Sequence, residues 1–191
     1  MDLYYSFYSN KLATATISRV FLIDVGDQNG DNKTTLTGWN NTDPYLSSVT
    51  LVDSTNTPSS VAFNLLRGNN KGVNTQGYQA EAKGFPLSAW RDTMYVDADS
   101  ADFSITGLDA SKKYDLEFYG SRSGTSELRK TQIILNGVTK IYQNTTSDSK
   151  GSTDGAIFTD IVPSNNAIAF NLNKNTGGFG YLGIVKISEH N

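Results

Sequence analysis

An all-β sandwich in a single domain is what this sequence predicts, on three observations. Short runs of β-branched and aromatic residues alternate with clusters of Gly, Asn, Asp and Ser along the chain. No stretch sustains a helical period beyond the short segment from Pro86 to Asp92. A length of 191 residues suits one core better than two.

Residues 1–18 form an arm in which Tyr4, Tyr5, Phe7 and Tyr8 crowd together with no evident partner strand. It reads as an extra edge strand or as an attachment segment whose rings bury against another subunit. The domain proper is 19–191, with strands expected over 19–25, 49–53, 61–66, 93–97, 101–106, 113–120, 129–136, 138–143, 156–161, 166–172 and 181–188. Tyr114, Leu116 and Phe118 alternate with Asp115, Glu117 and Tyr119, and Ile168, Phe170 and Leu172 with Ala169 and Asn171, so each strand has one core face and one wet face. Asn136-Gly137 sits between two apolar runs as a two-residue hairpin turn, because both its central positions must tolerate positive φ. Pro86 suits a first helical turn, with Leu87 and Trp90 three residues apart on one face. Long connections at 26–38, 67–80, 121–128, 144–155 and 173–180 are where variable chemistry belongs.

Composition excludes several functions. A net charge of −3 with no basic run argues against a nucleic-acid surface or attraction to anionic lipid. The chain has no cysteine, which removes disulfides, thiolate metal sites and a cysteine nucleophile. No segment approaches the roughly 20 apolar residues that cross a bilayer, and the start lacks a basic region leading into an apolar stretch, so no signal peptide is expected.

Catalytic motifs are weak. The sole histidine is His190, next to the C-terminus. Gly120-Ser121-Arg122-Ser123-Gly124 matches the G-x-S-x-G string, but it leads into a polar loop and another strand, not into the helix a nucleophile elbow needs. An esterase using Ser123, or a hydrolase using paired carboxylates among Asp92, Asp97, Asp99, Asp102, Asp115 and Glu117, is the alternative class, although Asp115 and Glu117 face solvent on their strand, where surface charge is the favoured role. Asp27, Asn29 and Asp31 place oxygen ligands at alternate positions, as a calcium loop does, although Asn32 and Gly38 depart from the EF-hand pattern. A structural Ca²⁺ there is weighed against an ordinary Asx-rich turn, and no other cofactor is expected. The aromatics are the better lead. Trp39, Tyr45, Tyr78, Trp90, Tyr95 and Tyr181 stand beside loops rich in Asn, Gly and Arg122. Sugars are held by rings that stack on C–H faces and by amide and guanidinium groups that hydrogen-bond hydroxyls. The candidate glycan residues are Trp39, Tyr78, Trp90, Arg122 and Tyr181, core packing being the competing role for the two tryptophans. Antiparallel pairing of the first and last strands would bring the loops of Trp39 and Tyr181 to one end.

The order Phe21-Leu22-Ile23-Asp24-Val25-Gly26, Trp39-Asn40-Asn41, Ala89-Trp90-Arg91-Asp92, Ile105-Thr106-Gly107-Leu108-Asp109, Tyr114 to Arg122 and Gly180-Tyr181-Leu182-Gly183 resembles galactose-binding-like, carbohydrate-binding-module-type sandwiches of secreted Bacteroidetes proteins, over about residues 20–188. The resemblance implies a jelly-roll sandwich, non-catalytic glycan recognition through loop aromatics and often a structural calcium. Without an export signal, the same module is expected as an exterior decoration or adhesion protein of a phage virion. In that setting it recognises surface glycans, attaches to other virion subunits through residues 1–18 and is oligomeric. The alternative is an extracellular binding module of a secreted polysaccharide-degrading protein.

Overall fold

The computed structural model describes residues 16–27, 30, 32–68, 71–97 and 100–191. Among them the chain forms β1 (Ile17–Val25), β2 (Trp39–Thr42), β3 (Ser48–Val52), β4 (Pro58–Gly68), β5 (Lys71–Asn74), α1 (Leu87–Arg91), β6 (Thr93–Val96), β7 (Ala101–Thr106), β8 (Lys113–Tyr119), β9 (Lys130–Leu135), β10 (Val138–Gln143), β11 (Gly155–Ile161), β12 (Ala167–Thr176), β13 (Gly180–Leu182) and β14 (Ile184–His190). Two sheets make the sandwich, one in the order β11-β8-β14-β1-β2 and the other β10-β9-β12-β7-β4-β3. This is the expected all-β, jelly-roll-like antiparallel sandwich, with α1 as its short helical turn. One neighbour pair departs from the antiparallel rule, because β2 runs parallel to β1 with Leu22 opposite Trp39.

Alternation explains the core. Phe21 and Ile23 of β1, Leu116 and Phe118 of β8, and Val185 and Ile187 of β14 point inward from one sheet. Phe63, Phe103, Ile105, Ile133, Leu135 and Phe170 meet them from the other. Phe103 and Phe170 stack at 4.9 Å, and Phe118 reaches across the interface to Phe170 at 4.7 Å. These offset and tilted pairs add to the burial of apolar area that holds the sheets together.

The hairpin between β9 and β10 forms as expected, with Asn136 at φ 49° and Gly137 at φ 77° and Leu135 opposite Val138. Gly137→Val is therefore predicted to cost about 1–2 kcal/mol, the penalty for a Cβ in the left-handed region. A urea titration measures it, and an unchanged midpoint would contradict this turn geometry.

Three expectations need correction. Tyr119, expected on the wet face of its strand, is buried, because a second apolar cluster of Phe85, Ala89, Trp90, Tyr119 and Ile184 covers that end of the outer face of the β8-β14-β1 sheet. The run 181–188 is not one strand: it breaks at Gly183, whose N–H bonds the Tyr119 carbonyl at 2.8 Å while its own carbonyl accepts from Val25. β13, before the break, joins β6 and β5 in a third sheet, ordered β13-β6-β5. The arm also ends earlier than 18, since Ile17 and Ser18 already belong to β1. Residues 1–15 of the arm lie outside the described residues.

Candidate functional site

The small third sheet carries a cleft. Tyr181 of β13 stands directly opposite Tyr95 of β6, and Tyr95 opposite Gly72 of β5. A Cβ at Gly72 would come 2.6 Å from the Tyr95 hydroxyl, so glycine lets that ring lie across the strand. Val73, Asn74, Tyr95, Arg122, Arg129, Phe179 and Tyr181 line a cleft of about 250 Å³.

Two guanidinium groups stand in this cleft in different electrostatic settings. Arg129 donates to Glu127 at 2.8 and 2.5 Å and to the Tyr181 hydroxyl, and lies 4.9 Å over the Phe179 ring. Burial works against its charge, but the Glu127 carboxylate and Tyr181 outweigh it and hold its pKa above the ordinary value. Glu127 is lowered in return, first by Arg129 and then by the Gly178 N–H. Arg122 bonds neutral oxygens instead, donating to Asn74 Oδ1 at 2.7 Å and to Gln76 Oε1. Among the described residues it has no ion pair with a carboxylate. Its positive charge is therefore offered to the cleft, while that of Arg129 is already matched.

A buried polar network positions both groups. Thr131 Oγ1 accepts the Tyr181 N–H at 2.7 Å and donates to Asn144 Oδ1 at 2.8 Å. Asn144 in turn donates its amide to the Gly120 carbonyl at 2.8 Å, and its own carbonyl accepts the Arg122 N–H at 2.8 Å. Thr131 and Asn144 are fully buried, so each of these bonds is made in a medium where an unmet partner is costly.

The sequence-predicted residues divide. Arg122 and Tyr181 meet in this cleft, because β8 runs antiparallel to β14 with Tyr119 opposite Ile184, which brings the segment after β8 beside the one before β14. Trp90 is 1% exposed, its indole N–H donating to the Ala82 carbonyl at 3.0 Å, so it presents no face to a ligand and acts in packing. Trp39 packs edge-on to Phe85 at 6.0 Å and lines a different depression with Leu36 and Glu81. Tyr78 lines a third, with Gln79, Ser123 and Lys150. Asn29 and Asp31 lie outside the described residues, and Asp27 lies in the connection after β1 with its backbone N–H turned to Asp92. Sequence reasoning missed Val73, Asn74, Arg129 and Phe179 as site residues. The one available signal was Gly177-Gly178-Phe179-Gly180-Tyr181, a glycine-rich run presenting two rings.

Among the described residues, Ser123 and His190 stand apart. Ser123 Oγ donates to the Gln76 carbonyl at 3.1 Å. His190 is buried and contacts Asp115 at 3.1 Å; it pairs with Lys113 at the start of β8, whereas Ser123 comes after the end of that strand. A seven-residue strand separates them by about 20 Å at the usual rise per residue. Glu117 pairs with Lys186 at 2.7 Å.

No protein-family model matches the sequence, and no curated protein matches it. Among solved structures, the chain is similar to a calcium-binding mutant of Bacteroides uniformis beta-glucuronidase 2, at 11% identity and a TM-score of 0.53, over 90% of this chain and 18% of that one. This chain thus spans under a fifth of that protein's length, and the likeness is one of fold. Lower on the scale are CBM35 from Cellvibrio japonicus Abf62, at 12% identity and a TM-score of 0.39 over 67% of this chain and 92% of that one, and a family 35 carbohydrate binding module from Clostridium thermocellum, at 11% identity and 0.36 over 65% and 96%. The class that the likeness and the topology define is one of fold, a β-sandwich of two mainly antiparallel sheets.

Proposed function

We propose that this chain is a non-catalytic glycan-binding module whose ligand lies in the cleft on the β13-β6-β5 sheet. One observation carries the reading: the Arg122 guanidinium, bonded among the described residues to the neutral amide oxygens of Asn74 and Gln76, stands beside the rings of Tyr95, Phe179 and Tyr181. Rings offer faces to sugar C–H groups, and a guanidinium held at a fixed angle donates to hydroxyl or carboxylate oxygens. The cleft is open and slightly smaller than enclosed small-molecule pockets, which run from about 300 Å³ upward. That suits a short stretch of a longer chain passing over the surface.

A panel of neutral and uronic-acid-containing oligosaccharides, with calorimetry on the best binder, tests it. Arg122→Ala is predicted to weaken binding about 10- to 150-fold, the worth of a charge-assisted hydrogen bond, and Tyr95→Ala to weaken it as well. Trp39→Ala leaves affinity unchanged, because Trp39 lies in a separate depression. An Arg122→Ala variant that binds as tightly as the parent, or a panel with no binder, would overturn the assignment.

The setting favoured by the sequence is the exterior of a phage virion, with the arm ahead of Ile17 attaching the module to other subunits in an oligomer. The absence of cysteine and the richness in Asn, Thr and Ser support that reading, and a secreted polysaccharide-degrading protein is the alternative setting. Immunogold labelling of purified particles distinguishes the two.

A further inference from the structure

Two depressions share one wall. Arg122 lines the cleft on the β13-β6-β5 sheet, and the next two residues, Ser123 and Gly124, line a second depression of about 320 Å³ with Tyr78 and Lys150. Gln76 joins the two. Its side-chain oxygen accepts from Arg122, and its backbone carbonyl accepts the Ser123 N–H at 2.6 Å and the Ser123 hydroxyl at 3.1 Å. Gln76 is exposed, so it forms a narrow crest between the two hollows. With both its oxygens engaged by the Arg122-Ser123 segment, the donor end of its amide is what it offers to a hydroxyl passing over it.

A glycine keeps the crest low. Gly124 has φ 75°, and a Cβ there would meet nothing nearer than Gln76 Oε1 at 3.6 Å. A side chain at this position would therefore clash with nothing, yet it would stand beside Gln76 where the surface is now open. The Gly124 N–H donates to the Ser149 carbonyl at 2.8 Å, which ties the loop to the segment that carries Lys150.

The second depression has its own chemistry. Tyr78 is half-buried, with its ring 6.0 Å from that of Trp90 and turned 73° to it. Lys150 is paired with Asp148 at 2.9 Å. A fixed ring beside a matched charge suits an uncharged sugar, whereas the Arg122 guanidinium donates to a hydroxyl or a carboxylate.

Taking glycan binding in the Arg122 cleft as given, on which this rests, we propose that the Tyr78 depression is a second subsite of the same site. The module then binds an oligosaccharide along its length, with one unit at Arg122, the chain crossing Gln76 and a neutral unit against Tyr78. Linkage between the units makes the second contact intramolecular, so it adds to affinity without a second loss of translational freedom.

Calorimetry of the full chain with cello-, xylo- and galacturono-oligosaccharides, each from monosaccharide to hexasaccharide, tests the second subsite. In a series that binds, affinity rises by about tenfold from the shortest binding member to the longest, the worth of one ring contact. Gly124→Asn accepts the positive φ and blocks the crest, and Tyr78→Ala removes the ring. Each cancels the gain, so that long and short members bind alike, whereas Arg122→Ala weakens all members. If Tyr78→Ala fails to fold, Gly124→Asn decides alone. Affinity that does not rise with length in the parent, or a rise that survives in either folded variant, overturns the second subsite and leaves the Arg122 cleft standing. A parent chain that binds no member of any series overturns the glycan reading and the second subsite with it.

Discussion

Replacing Trp90 with alanine is expected to lower folding stability by about 3–5 kcal/mol, equivalent to roughly 6–20 °C in melting temperature for a domain of this size. The ring is the hub of the second apolar cluster, lying 6.0 Å from Tyr78, 6.3 Å from Phe85 and 5.7 Å from Tyr119. Truncation removes those contacts and leaves the Ala82 carbonyl without its indole donor. Part of the cost is transfer of apolar area and part is the cavity that its neighbours cannot close. Trp90→Phe keeps most of the apolar contact but loses the N–H, so it should fall between parent and alanine. Urea unfolding monitored by circular dichroism measures all three. A loss below about 1 kcal/mol for the alanine variant would mean that residues 78–91 are not packed on the sheet as described.

Thr131→Val is expected to damage recognition and stability together. Valine matches the shape of threonine but neither accepts the Tyr181 N–H nor donates to Asn144 Oδ1, two bonds of 2.7 and 2.8 Å inside the protein. Each buried group left without a partner costs about 1–3 kcal/mol. The same change frees Tyr181 and, through Asn144, the backbone that holds Arg122. Glycan affinity should therefore fall by more than the small change of a remote surface variant, although Thr131 itself does not line the cleft. Thr131→Ser restores the hydroxyl and should recover most of both losses. Affinity that stays at the parent level in a folded Thr131→Val protein would separate the network from the site.

Much of the sandwich was legible because its central strands obey the two-residue period. Tyr114, Leu116 and Phe118 had to face one way and Asp115 and Glu117 the other, and Asn136-Gly137 admits few conformations besides a tight hairpin. β2 and β5 were missed for the converse reason: Trp-Asn-Asn-Thr and Lys-Gly-Val-Asn carry no alternation, and their strand character comes from the neighbours that pair with them. Tyr119 misled because a segment more than 25 residues away in sequence folds over its outer face. Arg122 and Trp90 both stood among the sugar candidates, with core packing as the competing role for Trp90. Only tertiary burial separates a ring locked under Tyr78 from a guanidinium standing open.

The break at Gly183 has a mechanical consequence. Tyr181 in the cleft and Ile184 at the head of β14 are separated by two residues, and β14 is the middle strand of its sheet, hydrogen-bonded to β8 on one side and β1 on the other. Asp24 pairs with Ile184 near the cleft, whereas the chain enters β1 at Ile17, opposite His190 at the far end. Tension between a held ligand and an anchor ahead of Ile17 would run lengthwise along two neighbouring strands, loading their ladder in shear across many rungs at once rather than unzipping it one rung at a time.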